Sequence, residues 1–137
     1  MKNLGIVSTL AGNGSAGYLD GPSSLALFNS SYDMCDDGFG NVYVTDSNNY
    51  RIRLININTN IGLVYFFQII ISLLFLFNQT QKNLVSTFAG NGTQGTIDGP
   101  AFSAELYYPY AILCQPSTST IYVADNYLRK IQNGEFK

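Results

Sequence analysis

The chain reads as an all-β protein, and three observations lead there. A long segment occurs twice. Short apolar and polar alternations of strand period recur in each copy. Asp-Gly, Gly-Pro and Gln-Pro-Ser steps separate the alternations, as turns do.

The duplication organises everything else. Residues 7–32 read VSTLAGNGSAGYLDGPSSLALFNSSY, and residues 85–110 read VSTFAGNGTQGTIDGPAFSAELYYPY. At a constant offset of 78 residues, 13 of the 26 aligned pairs are identical. A repeated unit of this length leaves an apolar face that its neighbour must cover. The expectation is therefore a scaffold of stacked units.

The strands follow in order. NVYVTD at Asn41–Asp46 alternates Val42 and Val44 with Tyr43 and Thr45, and TIYVAD at Thr120–Asp125 repeats it. Each is preceded by a short strand candidate, Tyr32–Asp36 and Tyr110–Cys114. The reversals between them are DDGFGN and QPSTS, which carry turn residues. A third strand is expected at Tyr50–Ile55, matched by Asn126–Ile131, and a fourth at Leu84–Gly90, matched by Ile6–Gly12. Ala26 and Phe28 recur as Ala104 and Leu106, placed to plug the space between units.

The spaced glycines Gly12, Gly14 and Gly17, repeated as Gly90, Gly92 and Gly95, do not read as a nucleotide loop. That site needs a helix after the glycines, and short strands follow here. The glycines read as loops between units. Histidine is absent, which removes the commonest neutral-pH base and metal ligand. No basic tract exists, so no nucleic-acid footprint is expected. Cys35 and Cys114 are too far apart in sequence for a local metal or redox pair, and two separate buried thiols are expected. Four Asn-x-Ser/Thr sites, Asn13, Asn29, Asn78 and Asn91, matter only on a secretory route.

The order of the ST[LF]AG strand, the glycine loop ending in DG, the A-x-[FL] plug, [VI]YV[TA]D and NNYRIR resembles the NHL-repeat family of β-propellers. The resemblance implies four-stranded antiparallel blades around a channel and a role in protein contact. It implies an incomplete propeller of about two blades, since closure takes about four. The chain then divides into residues 1–60, residues 61–82 and residues 83–137. The first part is the fourth strand of a preceding blade with three strands of the next. The second is an apolar insert and linker. The last holds the closing strand, the glycine loop and a partial further blade. On this reading the chain is a fragment of a larger product, an assembly of several copies or an open stack with exposed faces, the fragment being favoured, and its partners are proteins or further blades.

The insert, IGLVYFFQIIISLLFLF at Ile61–Phe77, breaks the repeat, and no charge occurs from Asn56 through Gln81. Three readings stand side by side. It is a membrane span, although spans need about 20 apolar residues. It is a helix or strand pair packed on the sheets. Or it is foreign sequence, of the kind a translated AT-rich intron gives. Compartment is open, and membrane association is expected only if the insert is genuine. One difficulty attends the span: a single crossing inside a hairpin would place paired strands on opposite sides of the bilayer.

Singled-out residues carry two readings each. Asp46 and Asp125 end matching strands, as a partner-facing ring or as turn-bonding carboxylates. Arg51, Arg53 and Arg129, with Lys130, are strand cations open to acidic partners. Tyr107, Tyr108 and Tyr110 form an aromatic contact patch or fill a wedge between sheets. Asp33, Asp36 and Asp37 lack the ligand ladder of a calcium loop. No catalytic residue, cofactor or metal ligand is assigned. The expectation is a non-enzymatic protein-interaction scaffold. The alternatives are a membrane-anchored extracellular or lumenal binding protein, or a lyase or hydrolase on the same fold.

Overall fold

Pairing of the repeated alternations produces two antiparallel sheets. The computed structural model describes residues 5–57 and 83–132, and the Ile61–Phe77 insert lies outside them. The strands are β1 (Gly21–Pro22), β2 (Ser31–Asp36), β3 (Asn41–Asp46), β4 (Arg51–Asn56), β5 (Leu84–Ala89), β6 (Ala111–Gln115), β7 (Thr120–Ala124) and β8 (Leu128–Gln132). The first sheet has five strands in the order β1-β5-β4-β3-β2, and the second has three in the order β6-β7-β8. All-β is the observed class.

Strand period decides which face each residue takes. In the first sheet Val42, Val44, Ile55 and Val85 cover one face, where Ala26 and Phe28 pack on them. Tyr43, Ile52, Leu54 and Phe88 cover the other. That second face meets Ile112, Ile121 and Val123 of the second sheet, with Leu106 wedged between. Tyr43 and Phe88 meet edge to face with ring centroids 4.7 Å apart. The equivalent valine faces of the two copies thus point the same way along the stack. The first sheet offers its tyrosine face to the valine face of the second.

Two links crossing between the sheets were not expected. Cys35 and Cys114 are joined in a disulfide, which replaces the two separate thiols predicted. They lie on β2 and β6, the strands that abut between the sheets, so stacking brings together cysteines that are 79 residues apart. Asp33 also accepts the Ile112 N–H at 2.9 Å.

A second correction concerns the repeated strand. Leu84–Ala89 is β5, paired with β4 from Ile52↔Ala89 to Asn56↔Leu84. The matching Ile6–Gly12 forms no strand, because no described strand lies alongside to share its backbone bonds. The glycine loops, in contrast, fold alike. Gly12 N–H donates to Ser23 O as Gly90 N–H does to Ala101 O, at 2.8 Å in both. Gly17 N–H donates to Phe28 O as Gly95 N–H does to Leu106 O, at 3.1 and 3.2 Å.

The β4–β5 ladder bears on the membrane expectation. Asn56 and Leu84, the strand ends on either side of the insert, are direct partners. A single crossing would separate them, so the ladder stands against the membrane-span reading of Ile61–Phe77, which itself lies outside the described residues. Among the described residues no helix is long and apolar enough to cross a membrane.

Candidate functional site

Each copy builds a buried arginine clamp from the end of its NVYVTD-type strand. Asp46 at the end of β3 accepts the Asn29 N–H at 2.7 Å and faces Arg53 of β4 at 2.7 Å. Arg53 also holds Asp20 of the glycine loop at 2.6 Å. Its guanidinium is fully occupied, donating further to Leu19 O and Leu27 O at 2.9 Å each. The Arg53 side chain has no solvent exposure. A buried arginine survives only with all its donors satisfied, and this one fixes the loop to the sheet.

The second clamp repeats the first. Asp125 accepts the Tyr107 N–H at 3.0 Å and faces Arg129 of β8 at 3.2 Å, and Asp98 meets Arg129 at 2.5 Å. The residues between aspartate and arginine are fewer here, because no counterpart of the short 3-10 turn Ser47–Asn49 is present. Asp98 is 91% exposed, and Nη2 of Arg129 is buried without a hydrogen-bond partner. Asp46, Arg53, Asp125 and Arg129 therefore sit inside the frame.

Tyr107 and Tyr108, with Arg51, lie at the surface beside this frame. Tyr50 and Tyr108 meet edge to face at 5.0 Å, and Tyr107 and Tyr108 do so at 5.3 Å. The Tyr50 hydroxyl donates to the Tyr108 oxygen at 3.1 Å, and Gln94 Oε1 is 3.5 Å away. Arg51 stacks over Tyr18 at 3.9 Å while donating to Asn49 O and Asn91 O at 3.0 Å each. The cluster draws Tyr18 and Tyr50 from one copy and Gln94, Tyr107 and Tyr108 from the other. The Tyr50 hydroxyl is pushed above its ordinary pKa, first by donating to Tyr108, then by desolvation and by the charges that Tyr108 and Tyr107 would carry. Both Tyr50 and Tyr108 have left-handed backbone, with φ of 53° and 49°. Tyr110 stands outside these ring contacts, exposed at the start of the β6 hairpin.

Sequence reasoning missed Tyr18, Tyr50 and Gln94, which come together only because the sheets stack. It also left Asp20 and Asp98 as no more than the DG ends of the glycine loops. Their duplication alongside Arg53 and Arg129 was the available signal. Asp36 and Asp37 turn their oxygens to local backbone N–H groups, with Asp36 receiving Gly38 and Asp37 receiving Phe39 and Asn41, while Asp33 receives Met34 locally and Ile112 from the second sheet. Among the described residues no group of three or more His, Cys, Asp or Glu is placed to hold a metal.

The architecture has a solved counterpart. It is the crystal structure of an auxiliary nutrient binding protein from Bacteroides thetaiotaomicron, matched with a TM-score of 0.61 at 20% identity. The match covers 88% of this chain and 27% of that one, so the chain spans about a quarter of that protein's length. At this identity the likeness is one of fold. No family model matches the chain, and no curated protein does.

These findings correct the NHL-repeat propeller expectation. The fold likeness is to a nutrient binding protein, and the two described sheets close no ring. The expected membrane partner is likewise set aside, since the β4–β5 ladder joins both flanks of the insert.

Proposed function

We propose that the chain is a non-enzymatic binding module of an extracellular or lumenal compartment. It takes a polar ligand with a flat apolar face against Tyr50, Tyr107, Tyr108, Arg51 and Gln94. The observation that carries the reading is the residue type at Tyr108. Its repeat counterpart Ser30 has the same left-handed backbone, with φ of 62°. The turn belongs to the repeat, and serine satisfies it. Non-glycine residues are uncommon in that region, and a bulky one is an outlier there. A tyrosine there, ringed by others from both copies, supports selection for contact. Tyrosine offers a rigid amphipathic surface at little entropic cost.

The cross-link supports the proposed compartment. A disulfide between two sheets persists where the environment is oxidising. Asn13 and Asn91, at Asn-x-Ser/Thr sites, are exposed in the glycine loops. The name of the fold counterpart, a nutrient binding protein, supports ligand capture over turnover. In this reading residues 1–60 and 83–137 supply the sheets, and residues 61–82 are an insertion between strands. Asp46, Arg53, Asp125 and Arg129 hold the frame.

The test titrates the chain with soluble oligosaccharides and with short peptides, following tyrosine fluorescence, which is unobscured because tryptophan is absent. Tyr108→Ala is expected to weaken binding about tenfold or more, as truncating an aromatic anchor does. Affinity unchanged in the Tyr50→Ala/Tyr108→Ala double variant would overturn the assignment of the patch.

A further inference from the structure

The second sheet lacks what the first one has. In the first, β5 lies beside β4, and β1 lies beyond it. Among the described residues nothing pairs with the outer edge of β8. A groove of about 690 Å³ opens there, lined by Asp98, Gly99, Pro100, Leu106, Arg129 and Ile131. Gly99 and Pro100 are the repeat counterparts of β1, and β8 is the counterpart of β4. The groove is thus the place of a missing β5.

The chain carries a second segment with the β5 sequence. Residues 6–11 read IVSTLA against LVSTFA in β5, identical at four of six positions. Among the described residues nothing pairs with this segment, and Ile6 is 94% and Val7 99% exposed. It leads into the loop that packs on the Val42–Val44 face of the first sheet, the far side of the stack from the second sheet.

The polar groups match as well. In the complete sheet, Asp20 Oδ2 accepts the N–H and hydroxyl of Thr87 in β5, both at 3.1 Å. Thr87 stands opposite Arg53. In the incomplete sheet Asp98 has no such threonine and is exposed, and Nη2 of Arg129 is buried and unpartnered. The same atom of Arg53 donates to Leu19 O and Asp20. Thr9 placed opposite Arg129 would anchor Asp98 as Thr87 anchors Asp20, drawing the Ile97–Asp98 turn onto the free guanidinium nitrogen. An unpaired strand edge flanking an apolar groove is a template for strand addition.

We infer that Ile6–Ala11 of a second copy of this chain enters the groove as a fourth strand antiparallel to β8. The register places Thr9 opposite Arg129, Ser8 opposite Lys130 and Val7 opposite Ile131. The contact is heterologous, tail of one copy to head of the next, so it closes into a ring or extends. The faces agree with this. Leu113 and Tyr122, exposed on the outer face of the second sheet, would meet the face of the next copy's first sheet that carries exposed Met34.

The experiment measures the mass of the intact chain by sedimentation over a hundredfold range of concentration. Mass is expected to rise with concentration for the natural chain. Thr9→Pro, in a segment that pairs with no described residue, removes the N–H and the hydroxyl that would hold Asp98 and is expected to give monomer at every concentration with an unchanged circular dichroism spectrum. Ser8→Cys with Lys130→Cys is expected to form disulfide-linked oligomers, since directly opposed residues on paired strands have Cβ atoms about 5 Å apart. A natural chain that stays monomeric throughout would overturn the inference. So would association that survives Thr9→Pro, because another surface would then carry it. Ligand binding at the tyrosine cluster is read separately, so failure of one proposal leaves the other measurable.

Discussion

Residues 6–32 and 84–110 are nearly the same text in different surroundings. Their glycine loops close with the same hydrogen bonds, since those bonds are internal to each copy. Their strands part company. LVSTFA finds β4 beside it and becomes β5, while IVSTLA finds no neighbour and stays open. Local sequence suffices for the turn, whereas a strand needs a partner for its backbone donors and acceptors. The clamps show the same contrast: Arg53 is wrapped on all sides, and Arg129 is left with a bare nitrogen.

The arginines test that contrast most strongly. Arg53→Ala leaves Asp46 buried without its cation and frees Asp20. The expected loss is about 3–5 kcal/mol, as for removing one partner of a buried pair. Arg129→Ala also leaves a buried aspartate, Asp125, without its cation, but it breaks fewer bonds and frees an Asp98 that is already exposed, so its loss is expected to be smaller. Urea unfolding of both variants gives the comparison. Equal losses would mean that the second clamp is as closed as the first.

The disulfide comes next. Cys35→Ser removes a link that closes a long loop between the copies, and the expected loss is about 2–4 kcal/mol. Thermal unfolding with and without a reducing agent checks it. A natural chain insensitive to reduction would show that the stacked apolar faces hold the sheets without the link.

Gly90 and Gly12 sharpen the contrast further. Both have positive φ, 93° and 100°, which a side chain opposes by about 1–2 kcal/mol. A Cβ at Gly90 would overlap the Tyr50 carbonyl oxygen just before the neighbouring strand β4, whereas at Gly12 it would only touch the Phe28 ring at 3.5 Å. Gly90→Ala is therefore expected to destabilise by more than Gly12→Ala under dilute conditions. The gap should narrow at concentrations where copies associate, because a neighbour then stands beside Gly12.

Much of this was legible from the chain alone. The period of Val42 and Val44 set one face of β3, and the duplicated DG steps set the loops. What the sequence could not supply was adjacency. Cys35 and Cys114 look unrelated until the sheets stack. Tyr50 and Tyr108 are 58 residues apart and touch only across the same seam. Ile6–Gly12 misled because its composition is that of a strand, and composition does not reveal whether an edge is available. The insert broke the repeat pattern without breaking the ladder, since Asn56 and Leu84 pair across it.

The smallest effect lies at that seam. The Tyr50 hydroxyl donates to Tyr108 and would meet the charges of Tyr108 and Tyr107 on ionising, so its neutral form is favoured when folded. A group raised in this way stabilises the fold fully below its unfolded pKa, which is about 10 for tyrosine. That contribution fades as pH climbs from there through the folded value. Tyrosinate absorbance should therefore show one group titrating late, and Tyr108→Phe should move it back toward the ordinary range, because phenylalanine keeps the ring contact while removing the acceptor and its charge. A titration curve identical in the natural chain and the variant would mean that the two hydroxyls do not meet in solution. The seam between the copies would then be looser at its surface than at its core.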